Sequence, residues 1–443
     1  SDIQQIINET EGDVEVVLTG NISLDDLLAA GTLSTRAGEN GNTITIPAGK
    51  VVTINLGGFT LSATDTTQKN YEVIKNKGTL LVKNGTIKVE AKHNNGWNRY
   101  SAVIANEVGG NLTVDGVTLE HLGGTDMAYG IDNLTNGKGT YAVTTILNST
   151  IKSPYRAVRQ FLNGTEATNE LYVLAGSVLE GANKSIWMQD PSKSANTGKL
   201  VVEAGAQLKG DVYLFVTAGS TEWPVEVSIA SSALVDGSQV LSANVPAGLD
   251  VVEKDGNWVV EYGVEVNGNE IAVSNAGGLK WIAQQVNSGA DYFAGKTVVL
   301  TADIDLKGEE WTPIGSISVD HGFMGNFDGK TYTIKNLAIK DITPDADGYV
   351  YGGLFGLTEG VDKDNQNYIK NLTIENVDIE TTGHIVAAAI AYPYYTVLEN
   401  IKVKGNVSIK GGDYTSGVLS YTRRCVDAKN ISINGNAGSV IEG

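Results

Sequence analysis

Leu80-Leu81-Val82-Lys83-Asn84-Gly85-Thr86-Ile87 reads as an apolar run, a small polar turn and the start of a second run. The same figure returns as Leu171-Tyr172-Val173-Leu174-Ala175-Gly176-Ser177-Val178. Around these two stretches a column of branched aliphatics keeps step: Ile54, Val82, Val114, Ile146, Val173, Val202 and Ile229, spaced 28, 32, 32, 27, 29 and 27 residues apart. A second column, Ile74, Ile104, Ile131, Val158, Ile186 and Leu214, advances by 30, 27, 27, 28 and 28. Alternation within each run turns every second side chain to one face. A period of about 28 residues fits one coil of three short parallel strands, and seven such coils stack to about 34 Å at about 4.8 Å each. A β-propeller blade needs about 40–50 residues. The shorter step therefore predicts an all-β solenoid whose two columns point inward.

Two residues beyond the second column stand Asn76, Asn106, Asn133 and then Gln160. Amides at one position in successive coils predict an internal hydrogen-bonded ladder. After residue 235 the repeat gives way to Leu249-Asp250-Val251-Val252-Glu253-Lys254-Asp255-Gly256-Asn257-Trp258-Val259-Val260, a hairpin pattern expected to close the first rod. The opening then recurs: Val298 to Leu306 matches Val16 to Leu24 at an offset of 282. A helical pattern precedes each copy, with Ile3, Ile6 and Ile7 on one face of the first and Leu279, Ile282, Ala283 and Val286 on one face of the second. These features predict two tandem parallel β-helix domains, residues 1–262 and 263–443, each with a short N-terminal capping helix. In the second, Ile334-Lys335-Asn336-Leu337-Ala338-Ile339 returns at Ile369, Leu398 and Ala428, with Gly353-Leu354-Phe355-Gly356, Ala388-Ala389-Ile390-Ala391 and Gly417-Val418-Leu419-Ser420 in between. No capping hairpin follows the last repeat, so that end is expected to be continued by further chain or covered by a partner.

Composition narrows the function. Acidic residues outnumber basic ones by 51 to 32, for a net charge of −19. Such a chain lacks the basic footprint of a nucleic-acid binder and is ill suited to an anionic membrane. The longest apolar stretch, Ile385 to Tyr392, is too short for a membrane span, which needs about 20 residues. A single cysteine, Cys425, excludes a disulfide framework and a cysteine-based zinc site. His93, His121, His321 and His384 lie far apart and form no metal motif. The chain opens at Ser1-Asp2 without Met, as a mature or trimmed chain would, one from which an anchor could have been removed.

Trp311-Thr312-Pro313-Ile314-Gly315, Phe323-Met324-Gly325-Asn326-Phe327-Asp328-Gly329-Lys330-Thr331-Tyr332-Thr333-Ile334 and Gly352-Gly353-Leu354-Phe355-Gly356 form a series. Over residues 265–443 it resembles the GLUG-type repeat proteins, right-handed parallel β-helices on the surfaces of Bacteroides-like gut bacteria. Leu56-Gly57-Gly58-Phe59-Thr60-Leu61 is similar to a looser version of the Asp-Gly-Lys-Thr turn. The resemblance implies an exported, surface-associated adhesin-like protein and no defined catalytic residues.

Other β-helix proteins are polysaccharide lyases or hydrolases, but the polygalacturonase-type Asn-Thr-Asp, Gly-His-Gly and Arg-Ile-Lys motifs are missing. Gly295-Lys296-Thr297 and Gly329-Lys330-Thr331 lack the leading glycine of a phosphate loop and read as turn-to-strand segments. Just outward of the second column run Lys75, Ala105, Asp132, Arg159, Trp187 and Phe215, with Tyr155, Arg156, Gln189 and Asp190 nearby. This column is expected to be exposed, and it gathers two of only six arginines beside aromatic rings and carboxylates. Ring stacking plus polar contacts suit a glycan, and arginine suits an acidic one. A second candidate surface joins Tyr392, Tyr394 and Tyr395 to Tyr421, Arg423 and Arg424, suited to a glycan or a protein. Asp341, Asp345 and Asp347, and Asp362, Asp364 and Asn367, are oxygen-rich loops where calcium is conceivable; no other cofactor is expected. The reading is a non-catalytic binding or adhesion protein at the bacterial surface or outside the cell. A carbohydrate-active β-helix enzyme and a structural spacer are the alternatives.

Overall fold

Val52 and Ile54 of the strand Val51–Asn55 point into the core, while Val51, Thr53 and Asn55 face out. That two-residue alternation, repeated coil after coil, builds the molecule. The computed structural model describes residues 3–32, 43–66, 70–91, 100–124, 126–192, 195–315, 321–340, 342, 348–422, 424 and 427–443. They form a β-solenoid of about 13 turns. Contacts divide the chain into two compact units: residues 1–246 with 251–260, and residues 247–250 with 261–443.

In the first unit the leading column is in strict parallel register. Val16 pairs with Ile54, Ile54 with Val82, Val82 with Val114, Val114 with Ile146, Ile146 with Val173, Val173 with Val202 and Val202 with Ile229. From Ile54 onward every member is buried, and each contributes about 1.5–3 kcal/mol of apolar burial. The second column pairs in the same way from Ile44 through Ile74, Ile104, Ile131 and Val158 to Ile186. It then departs from the expected order: Ile186 meets Val212, and Leu214 meets Met188, two residues further along. Both pairs still point inward, because a shift of two preserves the face.

The coils bend where the backbone takes positive φ, at Asn84 (59°), Gly116 (64°) and Asn148 (46°), two residues after Val82, Val114 and Ile146. Glycine and asparagine tolerate this conformation best. Beside the second column the amides stack as expected, and all are fully buried. Asn76 Nδ2 donates to Asn106 Oδ1 at 2.8 Å, and Asn106 Nδ2 to Asn133 Oδ1 at 2.9 Å. The ladder then leaves its column. Asn133 Nδ2 donates to Asn169 Oδ1 at 2.7 Å, whereas Gln160 donates to the carbonyls of Asn169 and Lys199. The longer glutamine side chain overshoots the position that a stacked amide would need.

The helix Ile3–Glu9 buries Ile3, Gln4 and Ile7. Gln4 Nε2 donates to Thr45 O at 2.9 Å, and Thr45 N donates to Gln4 Oε1 at 2.7 Å. Thr45 lies on Ile44–Ile46, the edge strand of the eight-stranded sheet, so the amide satisfies backbone groups that a further strand would otherwise pair. At one end of the sixteen-stranded sheet, the strands Leu249–Lys254 and Asn257–Tyr262 form the expected hairpin, with φ of 49° at Asp255 and 76° at Gly256. Two positive φ values suit a type I′ turn. Its second strand pairs antiparallel with Val225–Ala230, which ends the parallel stacking.

The second unit has its own core, around Phe293, Phe323, Phe327 and Phe355 and the apolar face of the helix Ala276–Asn287. Asn275 caps that helix by accepting from Gly278 N at 3.0 Å. The opening of each unit uses the same bonds. Thr60 N donates to Asn21 Oδ1 at 2.9 Å in one, and Thr333 N donates to Asp303 Oδ1 at 2.9 Å in the other. Phe355 stacks over Ile390 and Ile390 over Leu419, as the Gly-Leu-Phe-Gly series requires. The first step of the other series is corrected: Ile334 pairs with Ile374, and Ile369 pairs with Phe327. From Ile369 the order runs as expected through Leu398 to Ala428.

Candidate functional site

On the first unit, the strands Ala128–Lys138, Arg156–Thr165 and Lys184–Asp190 lie side by side, and residues such as Tyr100, Asp126 and Tyr155 join them in one lining. Together they enclose a groove of about 790 Å³ whose walls include Tyr100, Glu107, Arg156, Phe161, Trp187 and Phe215. Asp132, Arg159 and Trp187 occupy successive coils in direct register, as expected. The next partner is Tyr213, not Phe215, which pairs with Gln189.

The expectation of an exposed column is corrected. Ala105 and Asp132 are fully buried and Arg159 is 6% exposed, because the flanking rings close over them. Arg159 makes a bidentate ion pair with Asp132, Nε to Oδ1 at 2.8 Å and Nη2 to Oδ2 at 2.6 Å. Its guanidinium lies 4.6 Å from the Tyr129 ring centroid and 4.5 Å from that of Phe161. Burial opposes its charge, yet Asp132 and Tyr129 together raise its pKa above the ordinary arginine value.

Arg156 is placed differently. Its guanidinium carbon sits 3.4 Å from the Trp187 ring centroid and 4.4 Å from that of Tyr155, and Nη2 donates to Tyr155 Oη at 2.8 Å. Burial pushes its pKa down from the ordinary arginine value. Arg156 Nε and Trp187 Nε1 are enclosed, and neither has a hydrogen-bond partner. Unpaired buried donors of this kind are uncommon and mark a place where a ligand is worth testing.

Sequence reasoning missed Tyr100, Phe161, Glu72 and Glu107. Tyr100 Oη donates to Glu72 Oε1 at 2.5 Å, and Glu72 also meets Lys75 at 3.5 Å. Burial pushes both Glu72 and Glu107 upward from the ordinary carboxyl value. Alternation held the one available signal, since Phe161 follows Arg159 by two and shares its face. Asp190 does not join this groove. Its Oδ1 accepts from Ser192 N, Ser192 Oγ and Asn196 Nδ2, on the wall of a separate cavity of about 360 Å³.

On the second unit the tyrosines do come together. Tyr392 lies 5.1 Å from Tyr421 and 6.0 Å from Tyr394, and Tyr394 lies 4.6 Å from Tyr395. Arg424 Nη1 donates to Tyr394 Oη at 2.6 Å. All four rings are half-buried, and Tyr351 and Tyr414, not anticipated from sequence, extend the group. Arg423, Cys425, His93, Asp341, Asp345 and Asp347 lie outside the described residues. Asp362 accepts from Asp364 N and Asn365 N at 2.8 Å, an internal turn. Asn367 is corrected as a loop ligand: it is buried and donates to the carbonyls of Phe323 and Gly325. Among the described residues no group of three His, Cys, Asp or Glu could hold a metal ion, and no helix is long and apolar enough to cross a membrane. No family model and no curated protein matches this chain.

Proposed function

We propose that the chain is an exported, cell-surface binding protein that holds glycans in the first unit's groove without altering them. The observation that carries this reading is the convergence of Trp187, Phe161 and Phe215 with Arg156 in one cavity of about 790 Å³. Flat aromatic faces stack on sugar rings, and a few fixed polar groups orient them. The resemblance of residues 265–443 to GLUG-type surface repeats supports export and adhesion. We take the two units as tandem right-handed β-helices, with the helices Ile3–Glu9 and Ala276–Asn287 as lids on their first coils. The pairing of Gln4 with Thr45 supports the first lid. A solenoid of repeated coils suits multivalent contact.

The enzyme alternative rests on Glu107, whose carboxyl is pushed upward by burial at the groove wall, as a general acid requires. A glycan array probed with the purified chain tests the binding reading, followed by chromatography of incubated hits. Specific hits that Trp187→Ala weakens at least ten-fold, and that are recovered intact, are expected. Shortened or unsaturated products would move the assignment to catalysis, and an array without hits would remove the glycan.

A further inference from the structure

We infer that the glycan held in this groove bears a carboxylate, as in a uronic acid, and that Arg156 receives it. The inference rests on the glycan-binding reading and adds the ligand's charge. Charge pairing around the groove selects the residue. Arg159 is neutralised by Asp132 at 2.6 Å, Lys75 by Glu72 at 3.5 Å, Lys77 by Glu107 at 4.0 Å and Lys184 by Asp211 at 3.1 Å. Arg156 is the groove-lining cation with no carboxylate at ion-pair distance among the described residues. It is also 7% exposed, so its charge has lost most of its water. A desolvated cation gains more from an incoming anion than a hydrated surface lysine does.

The geometry favours a planar anion approaching end-on. Trp187 and Tyr155 cover the guanidinium faces at 3.4 and 4.4 Å, and Nε is enclosed. Nη2 already donates one hydrogen to Tyr155 Oη at 2.8 Å, so what remains for the cavity is Nη1 and the second N–H of Nη2, which together can meet the two oxygens of a carboxylate. The surrounding rings and the amides of Asn163 and Gln189 suit sugar rings and hydroxyls, and the Asp126 and Glu107 carboxyls on the same wall can accept from hydroxyls but repel an anion, so Arg156 is where an anion would be received. An acidic peptide would bring several charges to a groove that has one unpaired cation.

Calorimetry with a tetrasaccharide bearing a single uronic acid residue and its carboxyl-reduced, neutral counterpart tests the assignment. The acidic tetramer is expected to bind about ten-fold more tightly, the worth of one charge-assisted contact. Arg156→Gln should remove that preference, while Arg156→Lys, which keeps the charge but not the fork, should retain part of it. Melting curves establish that each variant is folded, and the lysine variant carries the test if glutamine is not tolerated. Equal affinity for the two tetramers, or a preference that survives in folded Arg156→Gln, would overturn the carboxylate assignment and leave glycan binding standing. An acidic peptide that binds more tightly than the uronate would overturn it in favour of a protein partner. Binding of neither tetramer, with a blank glycan array, removes both readings.

Discussion

Two arginines three residues apart do different work. Arg159 is consumed by Asp132 within the wall, so replacing it strands a buried carboxylate, whereas Arg156 has no carboxylate at ion-pair distance among the described residues. The sequence placed both beside Trp187 but did not separate them, because one-dimensional register says which residues are neighbours and not which of them the flanking rings cover. The inward columns and the amide ladder were legible, since burial imposes a period that chance does not produce. Asn106→Ala should cost about 2–4 kcal/mol in chemical denaturation, because it strips the buried Asn76 Nδ2 of its acceptor and removes the donor that Asn106 offers to Asn133 Oδ1 and Val143 O. A loss under 1 kcal/mol would mean that the ladder is incidental. His121 gives a second test. It is 2% exposed, Nε2 meets Ser101 Oγ at 3.0 Å, and burial pushes its pKa down to about 4, against weaker opposition from Gly123 and Asp65. The folded pKa lies below the unfolded value of about 6.5, so the fold prefers the neutral ring. Its contribution is complete above about pH 6.5 and drains away as pH falls through that value towards 4, by roughly 3 kcal/mol. His121→Gln should therefore lose less stability than the native chain between pH 7 and 4. Parallel losses would show that other groups control acid sensitivity.

Elements were legible where a turn has its own chemistry. The duplicated turn carries Gly57 at φ 59° in the first unit and Lys330 at φ 55° in the second. A left-handed lysine is strained by about 1 kcal/mol. Lys330→Gly should relieve it, offset by greater unfolded-chain entropy and by loss of the 3.4 Å pair with Asp328, giving a net change from zero to about 1 kcal/mol more stable. Gly57→Lys should instead destabilise by more than about 1 kcal/mol, because a Cβ there would approach Leu18 O to 2.7 Å. Thermal melts of the pair read the contrast, and changes of the same sign would contradict the equivalence. The misaligned step in the second unit has a local cause. The strand Asn367–Glu380 contains two similar pieces, Ile369-Lys370-Asn371-Leu372 and Ile374-Glu375-Asn376-Val377. Sequence likeness selects the first as the partner of Ile334, while stacking uses the second. The asparagines expose the true order, since Asn376 donates to Asn336 at 3.1 Å and Asn371 to Asp328 at 2.9 Å.

At the scale of the chain, a solenoid separates what must repeat from what is free to vary. Inward columns are held to branched aliphatics by packing, whereas the adjacent column changes from Lys75 to Ala105, Asp132, Arg159, Trp187 and Tyr213 within one sheet. A groove can thus be written along one side without disturbing the stack beneath it, which is why the fold was legible and the ligand was not. Stability in such a stack passes between neighbouring coils, so damage is expected to spread within a unit. Each unit has its own apolar core, and Ile282, 1% exposed on the helix Ala276–Asn287, belongs to the second. Ile282→Asp buries an unpaired charge there and should cost several kcal/mol. Hydrogen exchange should quicken across strands from Thr297–Leu300 onward, while the column from Ile54 to Ile229 keeps its protection. Ligand binding in the first unit's groove should survive as well, because its walls draw nothing from residues beyond 260. Simultaneous loss of protection in both units would mean that they fold as one cooperative body and that the two cores do not stand alone.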